Sequence, residues 1–128
     1  MEDRLEMIFR LQNALDQDIM ERRNLDFPYE VWMQKDILAC TDELMELLNE
    51  LNWKWWKNQK PLDPGAIKGE LVDVLHFFVS MCLRSGMSAQ DLFEGYIAKN
   101  KENFDRQYGR SQKTGYEVTT NGTGLSGD

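Results

Sequence analysis

Apolar residues recur at spacings of three and four along most of the chain, and no stretch has the alternation typical of a β-strand. Near the N-terminus, for example, Leu5, Ile8 and Leu15 fall on one helical face. The segments with this pattern are residues 3–22, 29–57, 64–84 and 89–108, and the weak helix formers around Asn52 leave a bend or short break there as an alternative. Asp63 and Pro64 suit a helix start, and Gly86 suits a helix end. The pattern therefore predicts an all-α protein, a bundle of four to five helices.

The third segment is the most apolar part of the chain. From Leu71 to Leu83, only Asp73, His76 and Ser80 interrupt the apolar residues. A helix that is apolar nearly all round is typical of a buried position. A carboxylate inside such a helix costs several kcal/mol unless a cation or hydrogen-bond donors meet it. The sequence thus predicts that Asp73 is buried and requires a partner.

Two acidic pairs flank the break between the second and third predicted helices. Glu43 and Glu46 form one pair, and Glu70 and Asp73 form the other. Residues three apart share a helix face, so two packed helices would bring four carboxylates together. Hard divalent cations such as Mg²⁺ take oxygen ligands of this kind, usually in company with substrate phosphates. The first pair alone suits a solvated face, whereas the two pairs together favour a metal site.

Two basic stretches each allow a structural and a functional interpretation. The run W-K-W-W-K at 53–57 is either a core edge with lysines reaching outward or a wall for a flat ring with lysines near phosphate. On the fourth helix, Lys99, Asn103 and Arg106 share one face. They suit a solvated helix end, where basic residues favour the helix dipole, or a phosphate clamp.

The length and charge of the chain narrow the classes of function. Its 128 residues, 41% of them hydrophobic, suit a single domain, with residues 1–108 as the folded part and 109–128 as a loop and flexible tail. The net charge of −7 argues against nucleic acid as a partner, but it allows a small phosphorylated ligand. Cys40 and Cys82 are expected to be reduced thiols, as in a cytoplasmic protein. Neither a secretory signal nor a run of transmembrane length is present, so no membrane partner is expected.

Five segments together resemble one known family. They are Q-N-A-L-D at 12–16, E-L-M-E at 43–46, W-K-W-W-K at 53–57, E-L-V-D-V-L-H-F at 70–77 and Y-I-A-K-N-K-E-N-F-D-R-Q at 96–107. The chain resembles the all-α, dimeric-type dUTPases, within the all-α nucleoside triphosphate pyrophosphohydrolases that include MazG-like enzymes. The two acidic pairs are shared by that whole group. The tryptophan run and the fourth helix are more specific to the dUTPase branch.

This resemblance implies a reaction and a set of roles. Water would attack the α-phosphorus of dUTP to give dUMP and pyrophosphate, with Mg²⁺ as cofactor and Mn²⁺ as a substitute; dUDP is a second candidate substrate. The implied metal ligands are Glu43, Glu46, Glu70 and Asp73, with Glu46 also orienting or deprotonating the water. The implied phosphate ligands are Lys99, Asn103, Arg106 and Lys57. The implied base and sugar contacts are Gln12, Asp16, Trp53, Trp56, His76 and Phe77.

Several alternatives accompany these implications. A packing role is the plain alternative for His76. The substrate could instead be dCTP or a modified nucleotide, and the rival from another class is a non-catalytic helical binding module. The family's G-Y pair comes here only at Gly115 and Tyr116, after an extra stretch. Because the chain is short for the family, we expect a homodimer that completes the bundle, with a tetramer as the alternative.

Overall fold

Four α-helices account for most of the part of the chain that the structure describes, residues 1–118. They are α1 (Arg4–Arg23), α2 (Tyr29–Asn49), α3 (Pro64–Arg84) and α4 (Ala89–Gln107). The structure is a computed structural model, and the tail predicted over 119–128 lies outside its described residues. The prediction of an all-α fold is confirmed, and α1, α3 and α4 begin and end within one residue of their predicted bounds.

Local signals in the sequence set the ends of α1 and α3. The side chain of Asp3 accepts a hydrogen bond from the backbone N–H of Glu6 at 2.8 Å, and Asp63 accepts one from Ala66 at 3.1 Å. Both are N-caps, which satisfy backbone donors that the helix itself leaves unpaired. At the end of α3, Gly86 has a φ of 76°, and the N–H of Met87 returns to the carbonyl of Cys82.

The second helix is shorter than predicted, because it ends at Asn49 rather than near Lys57. Asn52 adopts a left-handed backbone with a φ of 55°, which asparagine tolerates better than most residues. Its amide Nδ2 donates to the Lys60 carbonyl at 2.8 Å, and its Oδ1 accepts from the Lys60 N–H at 2.9 Å. These two bonds close a loop, so the tryptophan run lies in a loop rather than on a helix.

The described chain forms two compact units, which divide after Ala89. In the first unit, α3 packs against both α2 and α1, and the contact with α2 is the more extensive. Its buried apolar side chains include Phe9 on α1 and Val79 and Cys82 on α3. Cys82 and Cys40 are both free thiols. The α2–α3 contact is the one that matters for the acidic pairs, since one pair lies on each helix.

The expectation that α3 is buried all round is wrong for this chain. Val72 is 54% exposed and Phe78 is 41% exposed, and Asp73 is also exposed. The two neighbouring helices of the first unit cover only part of an apolar circumference. The carboxylate of Asp73 is therefore open to solvent. Because it is not buried, its charge does not require a cation. No helix in the described residues is long and apolar enough to cross a membrane.

The second unit consists of α4 and the segment that follows it. Glu102 accepts hydrogen bonds from Ser111 and from Arg106, and Asp105 pairs with Arg110 at 3.0 Å. The guanidinium of Arg106 lies 5.4 Å from the centre of the Tyr116 ring. These contacts attach the first residues of the predicted C-terminal segment to α4.

Candidate functional site

Three carboxylates meet where α2 packs against α3. One oxygen from each of Glu43, Glu46 and Glu70 lies within 4.8 Å of the other two. Glu46 is exposed, whereas Glu43 and Glu70 are half-buried. The Oε2 atoms of Glu43 and Glu70 are buried and have no hydrogen-bond partner among the described residues. Buried acceptors are normally paired, so these two oxygens are suited to meet a donor or a cation.

The crowding of these acids raises their affinity for protons. Burial, followed by the neighbouring Glu70 and Glu46, raises the pKa of Glu43 from its ordinary 4.5 to about 7. A proton shared with Glu43 lowers the pKa of Glu70, but burial and the charge of Glu46 outweigh that effect, so the pKa of Glu70 is raised overall. Without a cation, the cluster therefore tends to hold a shared proton.

The fourth predicted ligand, Asp73, stands apart from this group of three. Its side chain is exposed, and it does not share the 4.8 Å grouping of Glu43, Glu46 and Glu70. It is nevertheless close enough for its charge to help raise the pKa of Glu43 and of Glu70. The structure thus brings three of the four predicted carboxylates together and places the fourth at their margin.

A second polar group connects α1 to α3. The Nε2 atom of Gln12 donates to Asp16 Oδ1 and to Ser80 Oγ, each at 3.0 Å. Ser80 Oγ donates in turn to Asp16 Oδ2 at 2.7 Å, and the Nδ1 atom of His76 lies 2.6 Å from Gln12 Oε1. Gln12 and Ser80 are buried. We call Gln12, Asp16, His76 and Ser80 the amide network.

A cavity of about 490 Å³ lies beside the amide network, between α1 and α3. Gln12 and His76 form its polar part. The remaining lining side chains are apolar: Ile8, Leu11, Leu15, Val72, Leu75 and Val79. Its volume falls in the range of small-molecule sites, which combine apolar walls with a few polar groups. Phe77, predicted to lie near the sugar, is half-buried and does not line this cavity.

The loop after α2 carries the tryptophans and Lys57. Trp53 packs edge-on against Trp56 with ring centres 5.8 Å apart, and its indole N–H donates to Asn49 at 2.9 Å. Trp56 is 59% exposed. A cavity of about 340 Å³ in this loop is lined by Asn49, Asn52, Trp53, Lys54, Lys57, Asn58 and Lys60. Its lysines form no ion pair within the described residues.

The remaining predicted phosphate ligands lie on α4, in the second unit. Lys99 is exposed, and Asn103 lines a cavity of about 650 Å³ beside Phe104 and Tyr108. Arg106 is half-buried and pairs with Glu102 at 3.1 Å. Arg106 would have to exchange that carboxylate for a phosphate in order to bind one.

Two residues of these sites have no role in the sequence-based assignment. Ser80 is a buried member of the amide network, and its signal in the sequence is that it interrupts an apolar run. Asn52 holds the tryptophan loop through the backbone of Lys60. Its partner lies eight residues away, beyond the reach of helical spacing rules.

Comparison with known proteins identifies the family of the chain. A family model described as dUTPase matches residues 4–91, which include α1, α2 and α3. The chain belongs to the all-α dUTPase family. The matched region contains the acidic cluster, the amide network and the tryptophan loop, and it ends before Lys99, Asn103 and Arg106.

Phage proteins are among the relatives of this dUTPase-family chain. It is 35% identical over 100 residues to the dCTP pyrophosphatase of Enterobacteria phage T4, with 59% of this chain and 58% of the relative covered. The dCTP pyrophosphatase of Enterobacteria phage LZ5 is 33% identical with the same coverage. A DNA replication protein of phage T4 is 33% identical over 94 residues, which are 24% of that protein. The chain thus spans less than two thirds of these relatives, and no solved structure matches it.

Proposed function

We propose that this protein is a Mg²⁺-dependent nucleoside triphosphate diphosphatase whose substrate is dUTP. The observation that carries the proposal is the cluster of Glu43, Glu46 and Glu70, with two buried oxygens that lack partners. Uncompensated buried carboxylates are costly, so a protein retains them where a cation is to be bound. Family membership supports the same reaction class.

The donor set of the cluster fits magnesium. All three side chains offer carboxylate oxygens, the ligands that Mg²⁺ prefers, and Asp73, at the margin of the cluster, is assigned as the fourth ligand. Mn²⁺ takes the same ligands and should substitute for it. A bound ion would supply Lewis acidity and charge neutralisation at the phosphates. Glu46, the exposed member, orients the attacking water and takes its proton as the α-phosphorus is attacked.

The other side chains bind and orient the nucleotide. Lys57 provides a cation beside the exposed Trp56, and Lys99, Asn103 and Arg106 are assigned to the phosphate chain. Both N–H groups of Gln12 are engaged within the protein, so only the second lone pair of its Oε1 atom remains for a ligand. This leaves Gln12 one acceptor site beside the base.

The second candidate substrate is dCTP, because two phage relatives carry the name dCTP pyrophosphatase. The deciding experiment measures pyrophosphate release from dUTP, dCTP, dTTP and UTP, and phosphate release from dUDP, each with Mg²⁺ and with EDTA. We expect Mg²⁺-dependent release from dUTP alone. Release from dCTP at a comparable rate would replace the uracil-specific proposal. No release from any nucleotide by folded protein would favour the non-catalytic binding module.

We further propose that the protein acts as a homodimer. One face of α2 carries Ile37, Leu38, Leu44 and Met45, all more than two-fifths exposed in the single chain. Their spacing places them together on the helix, as at the contact of two paired helices. Light scattering after gel filtration should give twice the mass of one chain, and Leu38→Glu should give one chain. A mass of four chains would establish the tetramer instead.

A further inference from the structure

The amide network has only one consistent arrangement of hydrogens. Asp16 is a carboxylate and only accepts, so Ser80 must donate to it, and Gln12 must turn its Nε2 towards it. The second N–H of that Nε2 reaches Ser80 Oγ, which has a free lone pair because its hydrogen is directed at Asp16. The amide oxygen of Gln12 is thereby left facing His76 at 2.6 Å.

This arrangement determines which ring nitrogen of a neutral His76 carries the hydrogen. An amide oxygen accepts and never donates, so the Nδ1 atom of His76 must carry the hydrogen. In a neutral imidazole the other nitrogen, Nε2, then bears a lone pair. Within residues 1–118, Nε2 has no protein partner, and the His76 side chain is exposed and lines the α1–α3 cavity. The histidine ring that lines that cavity therefore carries an unpaired acceptor.

We propose that Asp16 and Ser80 are positioning residues that hold Gln12 in one orientation and His76 in its Nδ1–H form, so that His76 Nε2 accepts a hydrogen bond from an N–H group of a pyrimidine base. The part of this inference that concerns the base rests on the proposed function. The part that concerns the histidine hydrogen rests on the network alone. The two parts can therefore fail separately.

The chemistry of the cavity identifies the base as the group that His76 meets. Its apolar walls, which include Leu11, Leu15 and Leu75, suit the faces of a flat ring, and its polar part suits one edge of that ring. Uracil presents N3–H as a donor, and cytosine presents its amino group. An acceptor at His76 serves either base and disfavours a ring whose donor is blocked. The same network thus fits both substrates under consideration.

The histidine part is tested by nitrogen NMR of the full chain. His76 is the only histidine in the sequence, so one labelled imidazole gives one assignable pair of ring nitrogens. At pH 8, where histidine is normally neutral, we expect a protonated Nδ1 and an unprotonated Nε2. An Nε2–H form in the wild-type protein would overturn the inference.

Asp16→Asn sharpens this test, because an asparagine can donate as well as accept. Gln12 is then free to turn over, its amide N–H would face Nδ1, and the Nε2–H form of His76 should appear. Asp18→Asn is the matched control, since Asp18 lies on the same helix and pairs with Arg22 at the surface. The Asp18→Asn spectrum should match the wild type. An unchanged tautomer in folded Asp16→Asn protein would show that Asp16 does not position the network.

The ligand part uses three nucleotides as probes, with the His76 Nε2 signal as the readout. Deoxyuridine monophosphate should shift that signal, and its N3-methyl derivative should bind about tenfold more weakly, the usual effect of one lost hydrogen bond. The 2′,3′-dideoxy derivative should bind like the parent. The assignment to the base would be overturned if the dideoxy derivative, rather than the N3-methyl derivative, bound more weakly than the parent. It would also be overturned if no probe shifted the His76 Nε2 signal. Neither result depends on hydrolysis, so a failure of the proposed reaction remains distinguishable.

Discussion

Helix α3 contributes to two polar sites, one with unpaired hydrogen-bonding atoms and one in which the hydrogen bonds are made. At Glu70 it contributes to a cluster whose buried Glu43 and Glu70 oxygens have no hydrogen-bond partner. At Ser80 it contributes to the amide network, where both N–H groups of Gln12 and both oxygens of Asp16 are used. The two sites belong to the same helix, so their difference comes from the side chains that α1 and α2 bring to it.

The acidic cluster is suited to bind a cation, whereas the amide network is suited to hold its side chains in fixed orientations. Like charges without donors raise each other's pKa and destabilise the fold until a cation or a proton arrives. A satisfied buried network has the opposite effect, because each bond fixes the orientation of the next. The cluster thus supplies affinity for a cation, and the amide network supplies a rigid, directional surface.

The largest expected effect comes from removing one acid of the cluster. Glu70→Gln should lower kcat/KM for pyrophosphate release by about 1,000-fold, about 4 kcal/mol, because metal stabilisation of transition-state charge is worth several kcal/mol. Titration calorimetry should show a matching loss of Mg²⁺ binding. Asp42→Asn, an exposed acid of α2 outside the cluster, is the control and should retain both. Wild-type Mg²⁺ affinity in Glu70→Gln would remove the cluster from the mechanism.

The cluster also shows how far helical spacing predicts a site. Spacing alone indicated that Glu43 and Glu46 share a face and that Glu70 follows on the next helix, and packing brings these three together. Asp73 shares a face with Glu70 in the sequence, yet it does not join the group of three. Which members of a helix face converge depends on how α3 packs against α2, and a single periodicity does not encode that packing.

The amide network and the tryptophan loop were less accessible to sequence reasoning. Gln12 and Ser80 come within 3.0 Å only because α1 and α3 pack in one particular register. The end of α2 was misplaced because the left-handed Asn52, with its bonds to the Lys60 backbone, overrides the helical pattern that continues to Lys57. Helix ends set by adjacent residues, such as the Asp63 cap, were predictable.

A pair of substitutions should change stability in opposite directions. Gln12→Leu removes one hydrogen bond from each of Asp16, Ser80 and His76, so the free energy of unfolding should fall by about 1–3 kcal/mol. Glu43→Gln removes a crowded charge, so the metal-free protein should become more stable. Urea unfolding in EDTA at one protein concentration measures both changes.

The control for this pair is Gln17→Leu, the same substitution at an exposed position of α1. It should change the free energy of unfolding by less than about 0.5 kcal/mol. If Gln12→Leu behaved like Gln17→Leu, the amide network would contribute no stability. If Glu43→Gln destabilised the metal-free protein, the cluster would not be under electrostatic strain.

The smallest expected effect is the pH dependence of the metal-free protein. The pKa of Glu43 is about 7 in the folded chain against an ordinary 4.5, so between these values the folded state binds more protons than the unfolded state. Stability contributed by that proton is complete below pH 4.5 and is lost as the pH rises towards 7. Urea unfolding in EDTA at pH 5 and at pH 7.5 should therefore show a fall in stability over this window.

Two further measurements test whether this fall in stability comes from the acidic cluster. Burial also raises the pKa of Asp36, despite its ion pair with Arg84, so Asp36 contributes a slope of the same sign. Glu43→Gln should therefore flatten the fall without abolishing it. Mg²⁺ should flatten it too, because a cation stabilises the ionised cluster. An unchanged slope in Glu43→Gln would mean that Glu43 carries no excess proton, and its unpaired oxygen would then require a partner other than a cation.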